Sequence, residues 1–384
     1  MFTARHAQRA DCARTVWRNL RGHTARQGRV GRFCAVWVCL VVAIMFTAAL
    51  AMPAISHAQA VRLEVRDVRP VQVIEDVPLI VGKPTVVKVV INASRATQAT
   101  LEVALGASRK TTGVRLNRGL NTFYVPVDPP GAPGSAQVSA AISATSGGSN
   151  SRKTQVVQVV APALGQIRVV FLPVDWSEGD RAGHFPGRYN SFVGDSGSFF
   201  RATYPLPDSN VHINASPNTH MLGPAERAIA DAQGNLNWDN ITAMYTSMAV
   251  AGRMVMPDAD LVVGVLPPKW FARNLNEPNT VGLEVHAVRQ VVAAQVDADY
   301  ATLAHEVGHV FGREDEYDFS ANPPRIGNRI DAPGYWVSKS EPIYPDGRTV
   351  YYSFMGASDR RSRYWVDRST YLAILEVLQR GSLP

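Results

Sequence analysis

The chain has 384 residues, 46% of them hydrophobic and 18% charged, a balance that excludes a disordered or collagen-like polypeptide and can fill more than one folded core. Its formal net charge of +7 belongs to the first sixty residues, where eight arginines stand against one aspartate; residues 61–384 hold 31 basic and 31 acidic side chains. With no cationic excess left there, charge offers no nucleic-acid partner.

Residues 1–60 read as a leader. An Arg-rich stretch to Arg32 is followed by the apolar run Phe33 to Met52 and then by Ala58-Gln59-Ala60, a small-residue cleavage site. The apolar run is also long enough to span a bilayer, so an uncleaved signal anchor is the alternative, and a membrane is a partner only in that case. Pro53 and the site that follows favour a signal peptide cut after Ala60. Either way the remainder is expected outside the cytoplasm, secreted, periplasmic or tethered. Cys12, Cys34 and Cys39 all lie in the leader, so residues 61–384 can form neither a disulfide nor a thiolate ligand.

From Val61 to about Val160 the pattern is of short alternating strands, at 61–67, 84–92, 99–105, 121–127, 135–144 and 154–160. Turn clusters such as Asp128-Pro129-Pro130-Gly131 separate them. This predicts an all-β, immunoglobulin-like sandwich over residues 61–162, containing no histidine and serving as spacer, binding module or stability cap. Ala161 to Gly165 is the junction to a mixed α/β domain over 166–384. There a buried strand at 167–174 precedes a polar, Gly-rich stretch. Helical patterns follow at 223–233 and 238–251, a strand at 259–266 and an alternating run at 286–296.

The next segment carries the chemistry: His305-Glu306-Val307-Gly308-His309, then Gly312 and Asp315. Histidines four apart on a helix share a face, so both imidazoles reach one tetrahedral ion. Glu306 sits one step round, able to act as general base on a water whose pKa zinc lowers towards neutrality. Asp297 or Asp299 can cap the helix, and Gly312 is a natural stop. On an unbroken helix Asp315 would fall about 9 Å beyond His309 and some 240° round, so a third ligand there needs the chain to reverse at the glycine. Glu314 and Glu316 are rival ligands on less suitable spacing. Oxygen and nitrogen donors of this kind suit Zn2+.

HEVGHVFGRED resembles the long zinc signature of the metzincin metallopeptidases, with aspartate in place of the last histidine, as in snapalysin-type peptidases. Asp315-Glu316-Tyr317 is similar to the end of the motif in IgA-peptidase-type metallopeptidases. Tyr352-Ser353-Phe354-Met355-Gly356 resembles the Met-turn that metzincins place beneath the zinc. The resemblance covers about fifty-five residues. It implies a zincin (metzincin-like) catalytic domain with His305, His309 and Asp315 on zinc and an edge strand above the metal that binds extended peptide, for which 286–296 is the candidate. Several metzincins carry a tyrosine two residues after the methionine, where this chain has Ala357; Tyr317 and Tyr364 are the candidates for stabilising the oxyanion. The loop-rich stretch after Asp315 should wall the cleft, with Tyr335 and Trp336 lining a side-chain pocket or serving as core. An amphipathic helix closes the chain from Asp367 to Arg380.

The expected function is hydrolysis of a protein or peptide substrate by an exported metalloendopeptidase. The alternative is an exported binding or adhesion protein with a vestigial peptidase domain. A third ligand from a Glu on a later helix fits poorly, because residues 317–340 contain none and Glu341 adjoins a proline. A structural zinc site fits poorly too, since such sites close all four positions. His184, His212, His220 and His286 read as surface or core residues.

Overall fold

Alternating apolar residues build the first half of the structure as two facing sheets. The computed structural model describes residues 60–384 apart from 146–147, 178, 182–184, 232, 234, 276–279, 281, 286–287, 289, 318–326, 328, 346–348 and 357–362. The leader, His184, His286 and Ala357 lie outside the described residues. Strands β1 (Leu63–Val71), β3 (Thr85–Ala93) and β6 (Gly119–Val127) form one antiparallel sheet. The other runs in the order β2 (Leu79–Ile80), β8 (Ser151–Val160), β7 (Gly134–Ala144), β4 (Thr97–Leu105), β5 (Ser108–Leu116). Between them Val87, Val89, Ile91, Leu101, Val103, Val138 and Ile142 share one core, the period-2 face that the sequence pattern indicated. Strand β5 escaped that pattern because it is an edge with an almost wholly exposed surface; Arg109, Lys110 and Arg115 keep it from pairing further.

The sandwich is not a loosely tethered spacer. The segment after β1 carries Val73, Ile74 and Ile80 into the core of the second half. There the Val73 carbonyl accepts from Trp365 Nε1 at 3.1 Å and from the Tyr335 amide at 3.0 Å. Lys83, only 2% exposed, reaches across to donate to the carbonyls of Arg201 (2.7 Å) and Leu206 (2.9 Å) and to pair with Asp208 (3.3 Å). Desolvation lowers the Lys83 pKa, and Asp208 opposes the shift. Lys83→Met removes the donor from these acceptors without opening a large cavity. It is expected to cost about 2 kcal/mol or more of unfolding free energy in urea titration.

The second half is a mixed five-stranded sheet in the order β10 (Val211–Ala215), β9 (Ile167–Pro173), β11 (Leu261–Leu266), β13 (Val291–Gln295), β12 (Gly282–Glu284). The first four run parallel and β12 antiparallel to β13. Helices α1 (Gly187–Thr203) and α5 (Thr302–Val310) cover one face, sharing a core with Val169, Phe171, Val263 and Val292. On the other face Ile241, Met244, Tyr245 and Met248 of α3 (Trp238–Val255) and Trp270 of α4 (Trp270–Asn274) pack on Val170, Leu172 and Val262.

Three expectations are corrected here. The stretch read as polar and Gly-rich contains α1, whose buried Tyr189, Phe192, Val193, Ser196, Phe199 and Phe200 recur at helical spacing among the glycines and serines. The helix expected over 223–233 is the four-residue α2 (Pro224–Arg227), because the Asp231 carboxylate takes the amides of Gln233 and Asn235 and folds the chain into a turn. The run 286–296 is not the edge strand. The strand within it, β13, is buried at every residue between β11 and β12, as a doubly covered strand should be, and half-buried β12 forms the edge.

After α5 the chain makes two small sheets, β14 (Gly334–Trp336) with β15 (Glu341–Ile343) and β16 (Tyr351–Ser353) with β17 (Arg363–Trp365), and ends in α6 (Arg368–Arg380). Tyr335 faces the sandwich, stacked on Tyr124 with centroids 4.6 Å apart, so it does not line a cleft. Trp336 is core, clustered with Phe199, Tyr300 and Trp365 under the Lys339 ammonium. Among the described residues no helix is long and apolar enough to cross a membrane.

Candidate metal centre

Helix α5 is short and its start is set by Asp299, whose carboxylate accepts from the Ala301 amide at 2.7 Å; the helical N-cap itself is Ala301, with no side-chain cap. Its end is a sharp reversal. Gly312 adopts φ +75°, a left-handed conformation that glycine tolerates. The Gly312 amide bonds the His309 carbonyl (2.8 Å) and the Arg313 amide bonds the Gly308 carbonyl (3.0 Å), the paired bonds of a Schellman stop. The turn folds Asp315 back over the last turn of the helix. Asp315 Oδ1 lies 3.2 Å from His305 Nε2 and 3.4 Å from His309 Nε2, and the two Nε2 atoms are 3.2 Å apart.

Each histidine is oriented by a main-chain carbonyl. His305 Nδ1 bonds Phe354 O at 2.9 Å and His309 Nδ1 bonds Arg313 O at 2.8 Å. A carbonyl only accepts, so both Nδ1 atoms carry a proton, and each ring in its neutral form turns the Nε2 lone pair inward. Two lone pairs and a carboxylate oxygen facing one another call for a cation between them. Ligands about 2.0–2.1 Å from a tetrahedral ion stand roughly 3.3 Å apart, which the three observed separations match. Among the described residues His305, His309 and Asp315 are the one cluster suited to a metal. Burial lowers both histidine pKa values, but Asp315 and Glu306 outweigh it, and His309 is pushed up to about 9. Burial likewise opposes ionisation of Asp315, yet hydrogen bonds from the two rings hold it well below the usual carboxylate range.

The turn carrying Met355 forms the floor. Met355 is fully buried with its sulfur against Gly308, where a Cβ would collide with it. Its carbonyl accepts from the Glu316 amide at 3.0 Å, tying the ligand loop to the floor. Ser353 Oγ holds this turn through the Met355 amide (3.3 Å) and donates to the Asp367 carboxylate (2.6 Å). Asp367 also caps α6 through Thr370 N (2.9 Å) and accepts from Ser369 Oγ (2.7 Å). Burial would raise its pKa, but these bonds outweigh burial and depress it. A depressed carboxylate contributes stability above its unfolded value of about 3.9 and loses it as pH falls through the folded value. Asp367→Ala should therefore cost about 1–2 kcal/mol at pH 6, with the gap to wild type narrowing as pH falls below the ordinary carboxylate value of about 3.9, as read by thermal unfolding across that range.

Glu306 is buried, 6% exposed, on the turn between the histidines. Desolvation pushes its pKa up to about 7 against the pull of both histidines. Tyr317 stacks on His305, centroids 6.1 Å apart, and burial and the Asp315 carboxylate both raise its pKa. Tyr364 is buried on β17, its main chain bonded to the Tyr300 hydroxyl. Glu341 is engaged by Tyr351 (2.8 Å) and Arg363 (2.7 Å). His220 bonds Ser247 at 2.7 Å and His212 lies on β10. Two contributors went unseen in the sequence: Tyr204, whose hydroxyl donates to the Ala304 carbonyl at 2.9 Å, and Gly282 on β12, packed against Glu306.

No known protein family and no curated protein matches the chain. Among solved structures it is similar to the C-terminal domain of wzt at 12% identity, over 26% of this chain and 73% of that one, with a TM-score of 0.22. It is similar to a CARDB domain from Pyrococcus furiosus in complex with di-metal ions, at 14% identity over 26% and 93% with a TM-score of 0.20. It is also similar to alpha-2-macroglobulin from Escherichia coli, at 18% identity over 27% and 17% with a TM-score of 0.21. Likenesses this slight carry no argument about fold or activity.

Proposed function

We propose that this chain is an exported zinc-dependent metalloendopeptidase, with an immunoglobulin-like sandwich joined to a metzincin-like catalytic domain. One observation carries the reading: two imidazole lone pairs and a carboxylate oxygen converge at tetrahedral-edge spacing beside a buried glutamate that is not part of the cluster. Zinc bound there supplies Lewis acidity towards a water and a peptide carbonyl. Phe354 O and Arg313 O keep His305 and His309 in the tautomer that binds, as outer partners of metal-ligating histidines do. Glu306, desolvated to a pKa near neutrality, takes the proton of the attacking water and delivers it to the leaving nitrogen. The Tyr317 hydroxyl, raised in pKa and so retaining its proton at neutral pH, donates to the developing oxyanion.

The outer edge of β12, last in the sheet among the described residues, replaces 286–296 as the strand that receives substrate, taking an extended peptide by main-chain pairing. The leader, with its apolar run and small-residue site, supports export by signal peptide or anchor. The test is to digest a proteome-derived peptide library with zinc-loaded and chelated protein and sequence the ends. Internal cleavages that vanish on chelation and return with zinc support the reading; an unchanged library in both arms refutes it.

A further inference from the structure

We infer that Gly282, on the edge strand β12, is a positioning residue for Glu306: bare main chain at this point leaves the slot that the Glu306 carboxylate occupies. A Cβ built on Gly282 would lie 2.7 Å from Glu306 Cδ and 2.9 Å from Cγ, closer still to Oε1, inside any real carbon contact. Gly282 has no left-handed φ to explain it, so the requirement is space rather than backbone conformation.

The main chain on neither side of this contact is free to retreat. Gln295 on β13 donates from Nε2 to the Thr280 carbonyl at 3.0 Å, and its own Oε1 is fixed by the Phe271 amide at 3.0 Å. Tyr245, fully buried on α3, donates to the Leu283 carbonyl at 2.5 Å. The strand is thus pinned on both flanks of Gly282, besides its pairing with Ala294. Below it, α5 is held by the Tyr204 hydroxyl on Ala304 and by the Schellman stop. A side chain at 282 must therefore be absorbed by the Glu306 side chain, the one flexible member of the contact. Its carboxylate would be driven out of the slot, while the metal cluster on the same helix stays in place.

The inference rests on the peptidase reading only for its catalytic consequence; the steric claim stands by itself. The test is a cycle of Gly282→Ala in the wild-type and Glu306→Ala backgrounds, read first by thermal unfolding of metal-free protein. Gly282→Ala is expected to lower Tm by roughly 3 °C or more in wild type and to shift it by less than about 1 °C once Glu306 is shortened. Equal shifts in both backgrounds would overturn the inference. If Gly282→Ala alone fails to fold, recovery of folding in the Glu306→Ala background supports it and failure there overturns it.

In zinc-loaded protein, Gly282→Ala should retain one zinc and nearly unchanged KM while kcat falls about 100-fold, the scale of an ångström's misplacement. Wild-type turnover in that variant would overturn the inference. A wild-type chain that binds zinc but cleaves nothing, with the thermal cycle intact, would remove the peptidase reading and leave the Gly282 assignment standing.

Discussion

Glu306→Gln is expected to leave zinc bound at one per chain and to lower peptide hydrolysis about 1,000-fold. The glutamine amide keeps the size of the side chain and fits the space beneath Gly282, so packing is conserved. It cannot accept and return a proton, and general-base catalysis of this kind is worth roughly 100- to 10,000-fold. His305, His309 and Asp315 are untouched, which is why metal content should hold while turnover falls. The variant also separates the enzyme from a binding protein with a vestigial peptidase domain. A chain whose wild type and Glu306→Gln forms are equally inert, with equal zinc, belongs to the second kind.

Asp315→Ala is expected to lower zinc affinity by at least about 100-fold, measured by competition with a chromogenic chelator. Loss of an outer partner of a ligating histidine costs about 10- to 100-fold, and loss of a direct donor costs more. A comparable loss is expected for His309→Ala, whose ring, like the Asp315 carboxylate, lies against both other donors. Hydrolysis should fall in step with zinc occupancy in both variants, and excess zinc should restore part of it in Asp315→Ala. Glu314→Ala should change neither quantity: Glu314 is exposed and is not among the three residues of the cluster.

What could be read in advance divides along the range of the interactions. His305 and His309 were legible because helical periodicity places them, and Asp315 because Gly312 announces a reversal. These are local rules acting within eleven residues of chain. The longer sandwich strands with one buried face were legible, β5 was lost where neither face is buried, and two-residue β2 is too short to show a period. The edge strand was misassigned because Val291–Gln295 and Gly282–Glu284 differ in what covers them, which depends on the order of strands in the sheet. Helix α1 was hidden by glycines and serines on both of its sides, Ser191 and Gly194 exposed and Ser196 and Gly197 buried. Tyr335 was aromatic in the right stretch, but whether it meets the cleft or Tyr124 of the sandwich is a contact across more than two hundred residues. Lys83 gave no signal at all. A lysine in the turn between two strands, here β2 and β3, reads as solvated, and only the approach of Arg201, Leu206 and Asp208 buries it.

The account stands or falls on one ion shared by His305, His309 and Asp315. X-ray absorption at the zinc edge, on protein purified without added metal and then given one equivalent, tests this most directly. The predicted first shell contains two imidazoles and oxygen donors at about 2.0–2.1 Å, with no sulfur, and it loses one oxygen donor or the metal altogether in Asp315→Ala. Protein that takes up no stoichiometric zinc, or whose first shell is the same with Asp315 and without it, would contradict the account.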